Sequence, residues 1–108
     1  MYITNIMHFL DDNGEIPKQI PKEARHLASF LAMVIDATTE AFPTEEHTTM
    51  LRCFKKKCDG TIKCQLLSKT DSIHWICTKC NNEGIISDWH GTKWDNIKRI
   101  DNKTQLRI

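Results

Sequence analysis

Two close pairs of cysteines constrain this chain more than any other feature of its sequence. Four residues separate Cys53 from Cys58, and after 18 further residues two residues separate Cys77 from Cys80. This is the pattern of a structural zinc site, in which each pair lies in a tight turn and directs two sulfur atoms at one ion. We therefore predict that Cys53, Cys58, Cys77 and Cys80 bind one Zn²⁺.

Other uses of these cysteines fit the sequence less well. A redox pair of the thioredoxin type needs C-x-x-C in a βαβ setting, whereas "CTKC" (77–80) belongs to a predicted β-meander. The total of five cysteines is odd, and no closed set of internal disulfides explains an odd number. An iron ion held by four thiolates has the same spacing and stays an alternative to zinc.

The fifth cysteine, Cys64, alternates in step with Ile62 and Leu66, which predicts that it packs in the core as a small apolar residue. To bind the metal it would have to leave its strand and displace a cysteine of the first pair. His74 and His90 are possible substitute ligands. Four cysteines already fill a tetrahedral site, so we expect both histidines at the surface or beside the site.

The residues between and after the pairs predict three short strands. These are "TIKCQLLS" (61–68), "SIHWIC" (72–77) and "GIISDW" (84–89), separated by turns. We call each cysteine pair with its tight turn a knuckle, the first at residues 53–58 and the second at residues 77–80. Gly60 and Gly84 follow the two pairs and suit the backbone turns that such knuckles require. Four protein ligands leave no open position for water or a substrate, so the predicted metal is structural and not catalytic.

The first half of the chain predicts one long amphipathic helix between residues 22 and 42. Pro21 suits its first turn and Pro43 ends it. The apolar stripe comprises Ala24, Leu27, Ala28, Leu31, Val34, Ile35, Ala41 and Phe42, widened by Phe30 and Met33. We expect this stripe to pack in the core, while a partner groove or a dimer seam is the alternative.

The remaining segments complete the predicted architecture. "YITNIMHFL" (2–10) reads as a short strand or extended arm before the Asn13-Gly14 turn, and 43–50 as a polar connector. The predicted class is α+β, in which the arm and helix pack on a three-stranded antiparallel zinc-ribbon-like meander. We divide the chain into residues 1–50, a zinc-ribbon-like segment at 51–95 and a tail at 96–108, all within one folding unit.

Several stretches resemble a family of small uncharacterised bacterial proteins with a C-terminal zinc-ribbon-like segment. They are "MHFLDDNGEIP", "IPKEARHLA", "CDGTI" and, most specifically, "IHWICTKCNNEGIISDWHGTKWD". The resemblance spans roughly residues 7–95 and implies the same four cysteine ligands, with Cys64 as a departure from the family pattern. The usual Cys-Pro-x-Cys-Gly knuckle has Thr78 and Asn81 in place of proline and glycine, which loosens it. The resemblance implies no biochemical activity.

Charge is distributed unevenly along the chain. Residues 1–50 contain three Lys or Arg against eight Asp or Glu, and residues 51–108 contain twelve against six, so the halves carry −5 and +6. A basic segment interleaved with tryptophans is typical of nucleic-acid binding. However, four thiolates around Zn²⁺ carry a net charge of −2, which nearby lysines would offset, and tryptophans are the natural core of so small a ribbon.

We therefore expect a protein-interaction or assembly module, with a nucleic-acid-binding zinc ribbon as the alternative. The candidate partner surface is Lys55, Lys56, Lys57, Lys79, Trp89, Lys93 and Trp94. His74, Asp88 and His90 are the best candidates for acid–base catalysis, but no phosphate loop or nucleophile elbow accompanies them, so we expect no enzyme. With no apparent signal peptide or membrane span, the expected location is a reducing cytoplasm.

Overall fold

One α-helix packs on a five-stranded mixed sheet in the described part of the chain, which comprises residues 2–42, 46–55, 57–67 and 69–97 of a computed structural model. This confirms the α+β class. The elements, in chain order, are β1 Tyr2–Asn5, a short 3₁₀ helix Ile6–Phe9, α1 Lys22–Glu40, β2 Glu46–Arg52, β3 Thr61–Leu67, β4 Ser72–Cys77 and β5 Glu83–Ser87.

The predicted three-stranded meander forms the inner part of this sheet, but it is not the whole sheet. The strand order is β1-β5-β4-β3-β2, and the pairs β2–β3, β3–β4 and β4–β5 are antiparallel. The N-terminal arm is strand β1, which pairs in parallel with β5 so that Tyr2 lies opposite Gly84. Parallel neighbours need a long crossover connection, and here the connection contains α1 and the three strands β2, β3 and β4.

Strand β2 corrects the prediction of a polar connector over residues 43–50. Glu46–Arg52 pairs antiparallel with β3, and its side chains are mostly exposed. Thr49 is buried, and its hydroxyl donates to the carbonyl of Ile62 at 2.7 Å. Because β2 is an edge strand with one solvated face, its sequence is polar, and its β-branched threonines were the only strand signal. Residues 43–45 lie outside the described part.

The helix begins and ends close to the predicted positions. It starts at Lys22, directly after Pro21, and its last residue is Glu40. Its buried face supplies Ala28, Phe30, Leu31, Ala32, Val34, Ile35, Thr38 and Thr39. Met33 and Phe42, two members of the predicted stripe, are 48% and 41% exposed.

The core lies between this helical face and one face of the sheet. The strands contribute alternate residues to it, as period-two patterning requires: Ile62, Cys64, Ile73, Trp75, Cys77 and Ile86. Ile6 and Trp89, which lie outside the strands, are also buried in this core. β2 crosses the boundary that we predicted between residues 50 and 51, so the first half of the chain contributes strands to the same sheet as the cysteine half.

Candidate metal centre

Both cysteine pairs lie at one end of the sheet. Cys53 directly follows β2 and Cys58 shortly precedes β3, while Cys77 is the last residue of β4 and Cys80 lies in the turn before β5. Because β3 and β4 are antiparallel, with Ile62 opposite Cys77, the start of one strand lies beside the end of the other. The hairpin therefore brings together two pairs that are distant in sequence.

The four sulfur atoms form a compact cluster, which we call the cage. The Sγ atoms of Cys58 and Cys77 are 3.5 Å apart, and those of Cys53 and Cys80 are 3.8 Å apart. All four lie within 4.8 Å of one another. A tetrahedral ion with metal–sulfur bonds near 2.3 Å requires sulfur–sulfur edges of about 3.8 Å, so the cage is compatible with one bound metal ion.

Backbone N–H groups point at the cage sulfurs. Gly60 N–H lies 3.4 Å from Cys58 Sγ, and the N–H groups of Lys79 and Cys80 lie 3.4 and 3.5 Å from Cys77 Sγ. Such donors stabilise negative charge on sulfur and hold ligands in orientation. The turn geometry therefore suits thiolates, which are the form of cysteine that binds metals.

The pKa values of the cage thiols diverge. Burial raises the pKa of Cys53 to about 12, although the N–H of Lys55 acts in the opposite direction. At Cys77 burial also acts to raise the pKa, but the N–H groups of Cys80 and Lys79 outweigh it and lower the pKa to about 7. Several thiolates this close repel one another, and a divalent cation would remove that repulsion.

The second knuckle uses Asn81 where the usual pattern has glycine. Asn81 has φ of 61°, a left-handed conformation that asparagine tolerates better than most residues. Its N–H donates to Cys77 O at 3.2 Å, and Cys77 N–H donates to Asn82 O at 2.8 Å. The turn keeps its backbone hydrogen bonds, so a tight turn forms at the second knuckle with asparagine in place of glycine.

The two glycines after the pairs serve a different purpose from the one we predicted. Neither Gly60 nor Gly84 has a positive φ, and Gly84 lies within β5 instead of a turn. A Cβ atom at Gly60 would lie 2.5 Å from Cys77 Sγ, and one at Gly84 would lie 2.7 Å from Tyr2 O. Both positions need glycine because another atom approaches the backbone closely.

Cys64 lies outside the cage, in the core, as its alternation predicted. Its side chain is 1% exposed, and its thiol lies 3.5 Å from the carbonyl of His47. Burial raises its pKa, which favours the neutral thiol over the metal-binding thiolate.

The predicted partner surface divides between opposite ends of the sheet. Lys55, Lys57 and Lys79 lie at the cage end, where Lys79 forms an ion pair with Asp59. This pair lowers the pKa of Asp59 and raises that of Lys79. Lys56 lies outside the described residues.

Trp89, Lys93 and Trp94 lie at the other end. The Trp89 indole N–H donates to the carbonyl of Asp71, just before β4, whereas Cys77 ends that strand about 17 Å away. Trp89 is 0% exposed, so its proposed place on a partner surface is wrong, because its ring belongs to the core. Lys93 pairs with Glu15 and lies over the ring of half-buried Trp94.

The three candidate acid–base residues have separate partners. His74 lies 3.7 Å from Glu83, and His90 Nε2 lies 2.5 Å from Asp71. Asp88 accepts a hydrogen bond from Asn5. Among the described residues, the cage is the only group of three or more His, Cys, Asp or Glu side chains close enough to share a metal ion.

A groove beside the cage was not expected from the sequence. One cavity of about 720 Å³ is lined by Lys22, Glu23, His26, Leu27, Phe54 and Lys55. The one signal for it was Phe54, a large apolar residue between Cys53 and a run of three lysines. Phe54 reaches the groove only because the first knuckle folds against α1. The periodicity of the sequence gives no information on this contact.

Comparisons with protein-family models, curated proteins and solved structures returned no significant match. The resemblance to the small bacterial family therefore stays a prediction. Within the described residues, no helix has the length and apolar character needed to cross a membrane.

Proposed function

We propose that the cage binds one Zn²⁺ as a structural site. The observation that supports a metal site is the agreement between the sulfur–sulfur separations of 3.5 and 3.8 Å and the edges of a tetrahedral thiolate site, and zinc is the metal that such closed four-cysteine sites most often hold. The cation would link the end of β2, the start of β3 and the end of β4. With all four positions taken by cysteine, its contribution is to folding, and we propose that the protein acts by binding and not by catalysis.

Metal analysis and native mass spectrometry of the purified protein test this proposal. We expect one zinc per chain, removed by chelator and restored by added zinc. Replacement by Co²⁺ should give the intense visible absorption of tetrahedral thiolate coordination. One iron per chain instead of zinc would contradict the identity of the metal, while the absence of any stoichiometric metal would contradict the site.

We further propose that this zinc-stabilised fold is a protein-interaction or assembly module of the reducing cytoplasm. The supporting observation is the groove beside the cage, where half-buried Phe54 and exposed Met33 line two adjoining cavities. Apolar side chains on a concave surface are typical of partner sites. Free thiols in all five cysteines suit a reducing compartment.

Gel filtration over a range of concentrations, together with affinity capture from extracts of the source cells, tests this function. We expect either concentration-dependent self-association or reproducible capture of a specific protein by the zinc-bound form. A monomer at every concentration that captures no protein would contradict the proposal.

The alternative, nucleic-acid binding, retains less support. Lys55 and Lys57 are exposed beside the cage and suit phosphate contact. Two of the three tryptophans, Trp75 and Trp89, are fully buried and do not offer rings for base stacking. A salt-sensitive mobility shift with mixed-sequence oligonucleotides at about 50 mM salt would favour this alternative over the interaction module.

A further inference from the structure

The groove beside the cage is a continuous surface built from α1 and the first knuckle. The 720 Å³ cavity and a neighbouring one of about 390 Å³ share His26, Phe54 and Lys55. Together they follow α1 from Lys22 to Met33, a distance of about 16 Å at the helical rise per residue. A segment of about ten residues in helical form would match this length.

The floor of the groove is apolar and packs against aromatic side chains beneath it. The ring of Phe54 packs 5.0 Å from Phe30 and 5.9 Å from Trp75, with Tyr2 at 5.4 Å. This contact with the core fixes the Phe54 ring before any partner arrives, which lowers the entropic cost of binding. Met33, 48% exposed, continues the apolar surface along α1.

The rim of the groove is cationic. Lys22 and Lys55 line one cavity and Arg52 the other, against the single carboxylate of Glu23. Within the described residues, the ammonium groups of Lys22 and Lys55 form no ion pair. α1 also begins without a side-chain cap, so its first turn adds partial positive charge on the same side.

We propose that this groove binds an acidic, apolar segment of a partner protein. Apolar side chains of the segment would cover Phe54, Leu27 and Met33, while its carboxylates would lie against Lys22 and Lys55. A nucleic-acid strand fits less well, because Leu27 and Met33 offer aliphatic contacts and not the aromatic rings on which bases stack. The inference rests on the proposed interaction function and specifies its site and the chemistry of its partner.

Selection from a phage-displayed library of random peptides of about 12 residues tests the inference, with the zinc-bound 108-residue chain as target. We expect enrichment of peptides that combine Asp or Glu with large apolar residues. Their affinity should fall about fivefold for either Lys22→Glu or Lys55→Glu, since charge reversal removes one attraction and introduces one repulsion. Native mass spectrometry should show one zinc in each variant.

Lys69→Glu is the matched control, because Lys69 is exposed in the turn before β4, at the end of the sheet far from the cage. The same change of charge there should leave peptide affinity unchanged. Equal losses in Lys55→Glu and Lys69→Glu would indicate a long-range charge effect and would overturn the groove assignment.

The other outcomes separate this inference from the function on which it rests. Enriched peptides that are insensitive to both groove variants would disprove the groove but leave an interaction module in place. Failure to enrich any peptide, with Lys55-dependent binding of single-stranded RNA, would overturn the inference in favour of nucleic acid. Failure of both probes would overturn the groove and count against the interaction function.

Discussion

Cysteine side chains in this protein differ in role according to the backbone around them. Cys58 and Cys77 sit in turns whose N–H groups face their sulfur atoms, whereas Cys64 sits in the middle of β3 with its thiol against a carbonyl. At Cys77 the N–H groups outweigh burial and lower the pKa of the thiol, which favours a thiolate, whereas burial raises the pKa of Cys64 and favours a neutral thiol. Residue spacing predicted that four cysteines lie together and that Cys64 lies apart from them in the core, because period-two alternation and paired turns are both local patterns.

Substitution of single cysteines should reveal this difference. Cys58→Ser should abolish stoichiometric zinc binding, because the tetrahedral site loses a ligand. Cys64→Ser should retain one zinc per chain and lose about 1–3 kcal/mol of unfolding free energy, because a hydroxyl replaces a buried thiol. Metal analysis and urea denaturation of both variants measure these effects. Loss of the metal in Cys64→Ser but not in Cys58→Ser would refute the cage.

Gly60 offers a second test at the residue scale. In Gly60→Ala the new methyl group would meet Cys77 Sγ at 2.5 Å, so we expect the first knuckle to shift and zinc affinity to fall about tenfold. Gly14→Ala is the control: its methyl group meets no atom within 4 Å, although its φ of +77° predicts a loss of about 1 kcal/mol. Competition with a chromophoric chelator measures the zinc affinity of both variants. Equal zinc affinities in Gly60→Ala and Gly14→Ala would contradict the close approach of Cys77 Sγ to Gly60.

Among the elements, α1, β3 and β4 could be predicted because their apolar residues repeat at 3.6 or 2 positions. β2 could not, since an edge strand with one solvated face carries few apolar residues. The parallel pairing of β1 with β5 could not be predicted either, because no local sequence pattern specifies a partner strand about 80 residues away. The loop at Trp89 resembled an exposed surface by composition, yet the indole N–H finds its acceptor in another turn.

Thr39 joins α1 to the segment that follows β5. Its hydroxyl donates to Ile35 O at 2.7 Å and accepts from the N–H of Asn96 at 3.0 Å. Thr39→Val should leave that N–H without its acceptor and cost about 1–3 kcal/mol of unfolding free energy, while zinc binding stays intact. Thr48→Val, on the exposed face of β2, should be nearly neutral. Chemical denaturation of the zinc-bound proteins compares the two, and similar losses would contradict this role.

At the scale of the whole molecule, we expect the fold to depend on a metal ion in the cage, because the cage lies where three strand ends meet. Structural zinc contributes roughly 10–16 kcal/mol in small zinc-binding peptides, against a total stability of about 5–15 kcal/mol for a domain. α1 buries its apolar face against β3 and β4, so loss of the sheet would also remove the support of the helix.

Removal of the metal should therefore unfold the described domain. We expect chelator to abolish the near-ultraviolet circular dichroism of buried Trp75 and Trp89 and the cooperative thermal transition, and added zinc to restore both. A chelated protein that is free of metal and still unfolds cooperatively would show that the core suffices without the cage.

The pairing of Tyr2–Asn5 with residues 84–87 also has a consequence for biosynthesis. β1 is synthesised about 80 residues before β5, the strand with which it pairs, so at roughly 5–20 residues per second it waits about 4–16 seconds for that neighbour. Cys80, the last cysteine of the cage, emerges only shortly before that neighbour. The pairing of β1 with β5 and the assembly of the cage therefore become possible at almost the same time, and until then β1 has an unpaired edge that chaperones can bind.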